Sequence, residues 1–387
     1  MAEPATVGLV TPRYPPAIGG VERHVEELAH GLARRGVAVE VITTDPSGLL
    51  DRVETVDGIP VRRFGTLAHD GVFFVSPGLA RWLVANAGRY ALIHGHSYHT
   101  PLVLAAAIAA RRRHVPFVLT PHYHGTGHTP LRAALHHPYK VFGARVVHAA
   151  RRVICVSASE LELIERDFGL DVPTSVIHNG VDIDDLLALP RRADGPGTLV
   201  LSVGRLEPYK RLDLLANSVS SLSGEVRVVV VGDGPARPRL EGQLRALGVE
   251  DRMTLTGSLP HAQLLERFRA ADVFVSLSLH EAFGLTLLEG AVAGAGVVAT
   301  DLDAHREVAA LLPAGAVRLI PVDSSPAEVA ASISAALVDR HELDADGRGN
   351  PRRWAVPTWD AMAGQVLEVY RAIAPGAGLP PGDGAGR

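Results

Sequence analysis

Short continuous apolar runs alternate along the chain with stretches whose apolar residues recur three and four positions apart. The first pattern predicts buried strands and the second predicts helices packed on them. Residues 6–11, 37–44, 91–96, 116–120, 152–157 and 174–178 read as strands. Between the first two, Val21 to Arg35 carries apolar residues at 21, 25, 28, 29 and 32 and is stopped by Gly36, so it reads as a helix. Further helices are predicted over about 77–88, 98–112, 130–150 and 158–168. No element is read between 45 and 76.

A breaker-rich stretch, 189–197, then reads as a linker. After it the alternation resumes, with strands at 198–203, 226–231, 253–256, 273–278, 297–300 and 317–320, helices between them, and a final amphipathic helix at 360–373. The Gly/Pro-rich end, 374–387, reads as a disordered tail. The expected organisation is α/β, with one Rossmann-like doubly wound domain over 1–190 and a second over 198–359. Open sheets of this kind bind ligands at the carboxyl ends of their strands. Two of them leave a cleft whose closure excludes water.

Composition narrows the class. The 387 residues are 47% hydrophobic with 5% aromatics, an ordinary globular profile. The single Cys155 sits in an apolar run, so neither a disulfide framework nor a cysteine metal site is expected. The opening apolar run, 7–10, is too short for a signal sequence, and none reaches the roughly 18 residues of a membrane span. A cytoplasmic protein is the expectation. The net charge of −4 hides an imbalance: residues 1–155 hold 17 basic and 10 acidic side chains, +7, and 13 of the 18 histidines. That half suits an anionic acceptor or a peripheral contact with an anionic membrane, and a scattered solvated surface reads equally well. No nucleic-acid module surrounds the basic residues. Of the 38 basic residues only Lys140 and Lys210 are lysine. A lysine kept against so strong an arginine bias draws attention, because ammonium and guanidinium are not interchangeable at a phosphate.

Several groups fall at predicted strand ends. Gly19 and Gly20 precede the first helix, where backbone amides and the helix dipole suit an anion, although a glycine pair alone is mostly a turn. His94/His96 and His122/His124 follow two strands. Zinc is conceivable there, but no cysteine or acidic third ligand lies near, and hydrogen-bonding or structural histidines are the expectation. In the second half Arg205 follows a strand and Lys210 lies five residues on; together they suit phosphate oxygens. Gly232 opens another strand-to-helix turn. Glu281 and Glu289 stand eight apart, around Phe283, Gly284 and Leu285, on a loop and the helix that follows it. Cations suit a diphosphate and carboxylates suit sugar and ribose hydroxyls, which points to a nucleotide sugar.

With these residues in place, the chain resembles the retaining glycosyltransferases of family 4, which have the GT-B fold. The resemblance runs through Gly19-Gly-Val-Glu-Arg-His-Val-Glu-Glu-Leu-Ala29, Thr120-Pro-His122, His178-Asn-Gly-Val-Asp182, Gly204-Arg-Leu-Glu-Pro-Tyr-Lys210, Val231-Gly-Asp-Gly-Pro235 and Glu281-Ala-Phe-Gly-Leu-Thr-Leu-Leu-Glu289. It implies two domains facing across a central cleft, with the helix 360–373 crossing back to the first. It implies a nucleotide-sugar donor and a hydroxyl acceptor, no cofactor and no metal. It places Arg205 and Lys210 on the diphosphate, Glu289 on the ribose, and Glu281 on the donor sugar. The Phe283-Gly284-Leu285 backbone would also meet the sugar, Gly20 the phosphate, and His122 the reacting sugar carbon, with His124 two residues away as the rival.

The segment Leu302-Asp-Ala-His-Arg-Glu307 departs from the family, which has a glycine there. Asp301-Leu-Asp303 looks like a D-x-D metal motif, but the fold context makes it a loop. The acceptor reads as either a lipid-linked or cell-envelope glycan or a small polar natural product, for which the loop 121–128 is polar enough. A GT-B epimerase or hydrolase, and a non-catalytic sugar-nucleotide-binding protein, are the alternative functions.

Overall fold

The computed structural model describes residues 5–67, 74–125, 130–191, 197–345 and 349–381, with 130–139 described as backbone only. Contacts divide the chain into two compact units, Met1–Asn179 with Trp359–Arg387, and Gly180–Thr358.

The first unit begins β1 (Thr6–Val10), α1 (Gly20–Arg34), β2 (Ala38–Asp45), β3 (Val53–Val56) and β4 (Ile59–Gly65). It continues α2 (Pro77–Asn86), β5 (Leu92–His96), α3 (Pro101–Arg112), β6 (Phe117–Thr120), α4 (Pro130–Ala149), β7 (Arg152–Cys155), α5 (Ala158–Phe168) and β8 (Thr174–Val176). The sheet order is β3-β4-β2-β1-β5-β6-β7-β8, parallel except for β3. The order turns at β1 and β5, so the carboxyl ends of these strands form the switch point where such sheets take ligands. Val7, Leu9, Val10, Leu92 and Ile93 are fully buried, as expected of strands covered on both faces. Val25, Leu28, Ala29 and Leu32 give α1 its buried stripe, and Gly36 ends it at φ 77°.

The second unit holds α6 (Ile183–Ala188), β9 (Leu199–Val203), α7 (Leu212–Val219), β10 (Arg227–Val231), α8 (Arg237–Leu247) and β11 (Met253–Gly257). There follow α9 (His261–Ala270), β12 (Val273–Ser276), α10 (Leu285–Val292), β13 (Gly296–Thr300), α11 (Asp303–Ala310), β14 (Val317–Ile320) and α12 (Pro326–Ala345). Its six strands run β11-β10-β9-β12-β13-β14, all parallel. The switch point lies between β9 and β12, the strands that lead into Arg205 and Glu281. The last helix, α13 (Trp359–Ile373), returns to the first unit and packs on α1. Two Rossmann-like α/β units with this returning helix make the GT-B architecture.

The structure departs from the sequence reading in three places. A hairpin, β3–β4, fills the stretch left without elements. Asp57 and Gly58 turn it at φ 48° and 84°, the positive angles of a two-residue hairpin turn. The division between units falls at Asn179, not within 189–197, of which 192–196 lie outside the described residues: α6 packs on α9, and Arg269 Nε donates to the Leu189 carbonyl at 3.0 Å, which holds α6 and Leu189 to the second unit. Part of the tail is ordered. Arg371 Nε donates to the Pro380 carbonyl at 2.7 Å, so 374–381 folds back beside α13, while 382–387 lies outside the described residues.

Candidate active site

The loop leaving β9 carries Arg205 and Lys210 on one side of the second switch point. The loop leaving β12 carries Glu281 on the other. Lys210 Nζ donates to Glu281 Oε1 at 2.5 Å, with both side chains mostly enclosed. Burial opposes both charges, but each is outweighed by the other: the ammonium is held above its ordinary value of 10.5 and the carboxyl below its ordinary 4.5. Arg205 is half-exposed, and its Nη2 donates to the buried Glu207 at 3.1 Å. Ser202, Gly204, Arg205, Lys210, Ser276 and Ser278 line a single recess at these strand ends. The sequence reading placed Lys210 and Glu281 on different parts of a ligand; the structure adds that they hold each other.

Gly284, in the left-handed region at φ 99°, caps α10, so the amino end of that helix opens directly after Glu281. A Cβ there would stand 3.2 Å from His305 Cδ2. Phe283 is buried, Leu285 starts the helix, and Glu289 lies buried one turn on. His305, which the sequence reading passed over inside the departing segment, is buried behind this turn. Its Nδ1 donates to the Thr300 carbonyl at 2.7 Å, and its Nε2 has no hydrogen-bond partner. Burial lowers its pKa although Glu281 pulls the other way. Asp301 and Asp303 both engage Arg306, at 2.6 Å and 2.9 Å, which occupies the D-x-D pair with an internal cation.

Gly232, expected at the donor, has a structural duty in this loop. At φ 134°, a Cβ on it would lie 2.0 Å from the Gly204 carbonyl oxygen. The bonds Gly204 N to Val231 O (3.0 Å) and Leu206 N to Asp233 O (3.0 Å) press the two loops together there. Gly232 therefore sets the position of the loop that carries Arg205 and Lys210.

In the first unit, Gly19 caps α1 and Gly20 begins it, with open space where a Gly20 Cβ would be. His96 ends β5, and His122 follows β6 at φ 49°, an uncommon left-handed angle that its surroundings help to hold. Glu160 supplies part of that constraint. It accepts from the amide of Tyr123 and, at 2.7 Å, from that of Val156, while its own amide bonds the capping Ser157 Oγ at 2.9 Å. His24, on the first turns of α1, meets both: its ring centroid is 4.9 Å from His122 and 5.4 Å from His96. One ring nitrogen from each of the three lies within 4.8 Å of the others. Burial drives all three pKa values down, that of His24 to about 4, so the rings are neutral. His94 lies beneath, bonded to Tyr370 at 2.7 Å and Thr120 at 2.9 Å. The sequence shows no third group beside these strand-end histidines; the fold brings His24 to two of them. His124 is outside the cluster, and 126–128 of the adjoining loop lie outside the described residues.

Residues 18–185 match the model of Glycosyltransferase Family 4, and 190–353 match that of Glycosyl transferases group 1. A D-inositol 3-phosphate glycosyltransferase of Kineococcus radiotolerans is 32% identical over 91% of this chain and 90% of its own. A phosphatidyl-myo-inositol mannosyltransferase of Mycobacterium leprae is 29% identical over 95% and 97%. Among solved structures, the sucrose-phosphate synthase of Thermosynechococcus elongatus superposes with a TM-score of 0.77 at 21% identity, covering 95% of this chain and 98% of that one. HepE of Anabaena, solved with UDP and glucose, gives 0.69 at 21% identity, over 95% and 98%. These two likenesses are of fold.

Proposed function

The chain belongs to glycosyltransferase family 4, and from that premise we propose that it moves a sugar, with retained anomeric configuration, from a nucleoside-diphosphate donor to a hydroxyl of an anionic inositol-type polyol. That it is a glycosyltransferase using a nucleotide sugar follows from its relatives; the rest is our reading. The observation that carries it is the meeting of Lys210, Arg205, Glu281 and the α10 amino end at one switch point.

Breaking the bond between sugar and phosphate leaves negative charge on the departing diphosphate. Arg205 and Lys210 meet that charge with fixed cations, so the step proceeds without a metal. Lys210 has three N–H donors; one holds Glu281, which leaves two for phosphate oxygens. Glu281 accepts from a donor-sugar hydroxyl, Glu289 from the ribose, and the backbone at Phe283, Gly284 and Leu285 fixes the sugar. From the first unit, His122 is assigned to the reacting carbon and the Gly19-Gly20 amides to the phosphate. For retention, the acceptor oxygen bonds that carbon on the face the diphosphate leaves, and a diphosphate oxygen takes the hydroxyl proton.

The acceptor class rests on two relatives named for inositol-bearing phosphates and on the basic excess of residues 1–155, 17 against 10. Thermal shifts with UDP-, GDP- and dTDP-sugars identify the donor. NMR of products from inositol phosphate, and from vesicles holding phosphatidylinositol, then identifies acceptor and anomer. An inverted product overturns retention. Sugar released or epimerised equally well from donor alone overturns the transfer to a polyol. Loss of transfer in excess EDTA overturns the metal-free step.

A further inference from the structure

We propose that His24, His96 and His122 form a three-histidine site for a divalent transition metal of the zinc class. Each comes from a different element at the first unit's switch point: α1, the end of β5 and the loop after β6. Each is buried, with His24 1%, His96 0% and His122 9% exposed. His24 Nε2, His122 Nε2 and both nitrogens of His96 have no hydrogen-bond partner, an unusual concentration of unsatisfied ring nitrogens in an enclosed place.

Asn179 sharpens this. Its Oδ1, which only accepts, lies 2.7 Å from His24 Nδ1. Nδ1 therefore carries the proton, and Nε2 of the neutral ring presents its lone pair to the cluster. A carbonyl oxygen on the far nitrogen is the usual device for orienting a metal-bound histidine. His94 is excluded from the donor set, because both its nitrogens are bonded to Tyr370 and Thr120.

The donor chemistry selects the ion. Three imidazoles and no carboxylate suit zinc, copper, nickel or cobalt rather than magnesium or calcium. Tetrahedral ligation at about 2.0–2.1 Å sets nitrogens roughly 3.3–3.4 Å apart, so the rings close from the 4.8 Å limit by modest side-chain rotation. Three protein ligands leave one coordination position open, and His122 is the least enclosed of the three. Resting on the role proposed above for His122, a bound ion takes its Nε2 away from the donor sugar and inhibits transfer. The site is thus a metal-sensing brake, separate from the diphosphate cations.

The full chain, stripped of metal, is titrated with Co2+ and followed by visible absorption. The expected result is one equivalent bound, with the d–d bands of a four- or five-coordinate ion, no thiolate charge transfer, and displacement by Zn2+. His96→Gln and His24→Gln are each expected to weaken binding at least 100-fold, and Asn179→Ala about 10- to 100-fold. His148→Gln, at an exposed site elsewhere, is expected to bind as the wild type does. Absence of a one-to-one complex in the wild-type protein overturns the proposal even if a variant fails to fold. So does unchanged affinity in both folded cluster variants. In the activity arm, zinc is expected to inhibit the wild type and to spare His96→Gln. Cobalt binding without zinc inhibition keeps the site and overturns only the placing of His122 at the reacting carbon.

Discussion

Lys210 Nζ donates to Glu281 Oε1 at 2.5 Å, joining residues 71 positions apart across the switch point of the second sheet. The pair has two consequences. Without a ligand, each side chain neutralises the other in a mostly enclosed place. On the reading proposed above, a diphosphate meets an ammonium already oriented and charged. Lys210→Ala is therefore expected to lose about 100- to 1,000-fold in kcat/KM, the scale of a removed charge-stabilising donor. It also leaves Glu281 without its cation, at a cost of about 1–3 kcal/mol. Urea melts separate the two effects. A folded Lys210→Ala enzyme within tenfold of wild-type activity would falsify the leaving-group role.

The Gly232 position makes a sharper structural prediction. An alanine there meets the Gly204 carbonyl at 2.0 Å and must hold φ 134°, which L side chains avoid. Backbone cannot retreat as a flexible side chain does, so Gly232→Ala is expected to cost about 2–4 kcal/mol. Because the displaced loop carries Lys210, donor affinity should fall with stability. Unaltered urea midpoints with weakened donor binding would instead make Gly232 a direct ligand contact.

Much of this architecture is legible in the sequence, for physical reasons. Parallel strands are buried on both faces, so β1, β9 and β12 stand out as apolar runs, and the glycine after α1 marks its end. Lys210 stands out because arginine replaces lysine nearly everywhere else. Its pairing with Glu281 is not legible, since it depends on β9 and β12 being neighbours, which strand order decides and local pattern does not. His24 is hidden for the same reason: it sits on a helix among ordinary amphipathic spacing, and only the sheet's switch point brings it to His96 and His122. The β3–β4 hairpin did leave a signal, Asp57-Gly58 between alternating segments, but Pro60 weakens that segment as a strand.

Asp167 gives a pH test of the first unit. Burial raises its carboxyl pKa, but the Tyr123 hydroxyl, Arg166 and Lys140, the last at 2.9 Å, outweigh burial and bring it from 3.8 to about 2. A pKa depressed on folding adds stability above the unfolded value and loses it as pH falls toward the folded one. Asp167→Asn is thus expected to cost about 2 kcal/mol at neutral pH. About half of that difference should be gone near pH 3, between the two values. Urea midpoints of both proteins across this range test it, and a constant gap would show that the loss is of packing rather than of charge.

The return of α13 to the first unit rests on a close helix crossing. A Cβ on Gly31 of α1 would lie 2.3 Å from the Ala363 Cβ of α13. Beside this contact Arg35 donates to both carboxylate oxygens of Asp360, each at 2.8 Å. The Asp360 side chain is exposed, so the ion pair contributes little, and the small-residue contact governs the approach of the helices. Two effects compete in Gly31→Ala. Helix propensity favours alanine by about 1 kcal/mol, while overpacking against a side chain with no rotamer to change costs about 1–3 kcal/mol. The contact is short enough for overpacking to win, so a net loss of about 1 kcal/mol is expected. Ala363→Gly should relieve the clash and return part of that loss in the double variant. Gly31→Ala more stable than the wild type in urea would show that the crossing opens at little cost and that α13 is held elsewhere.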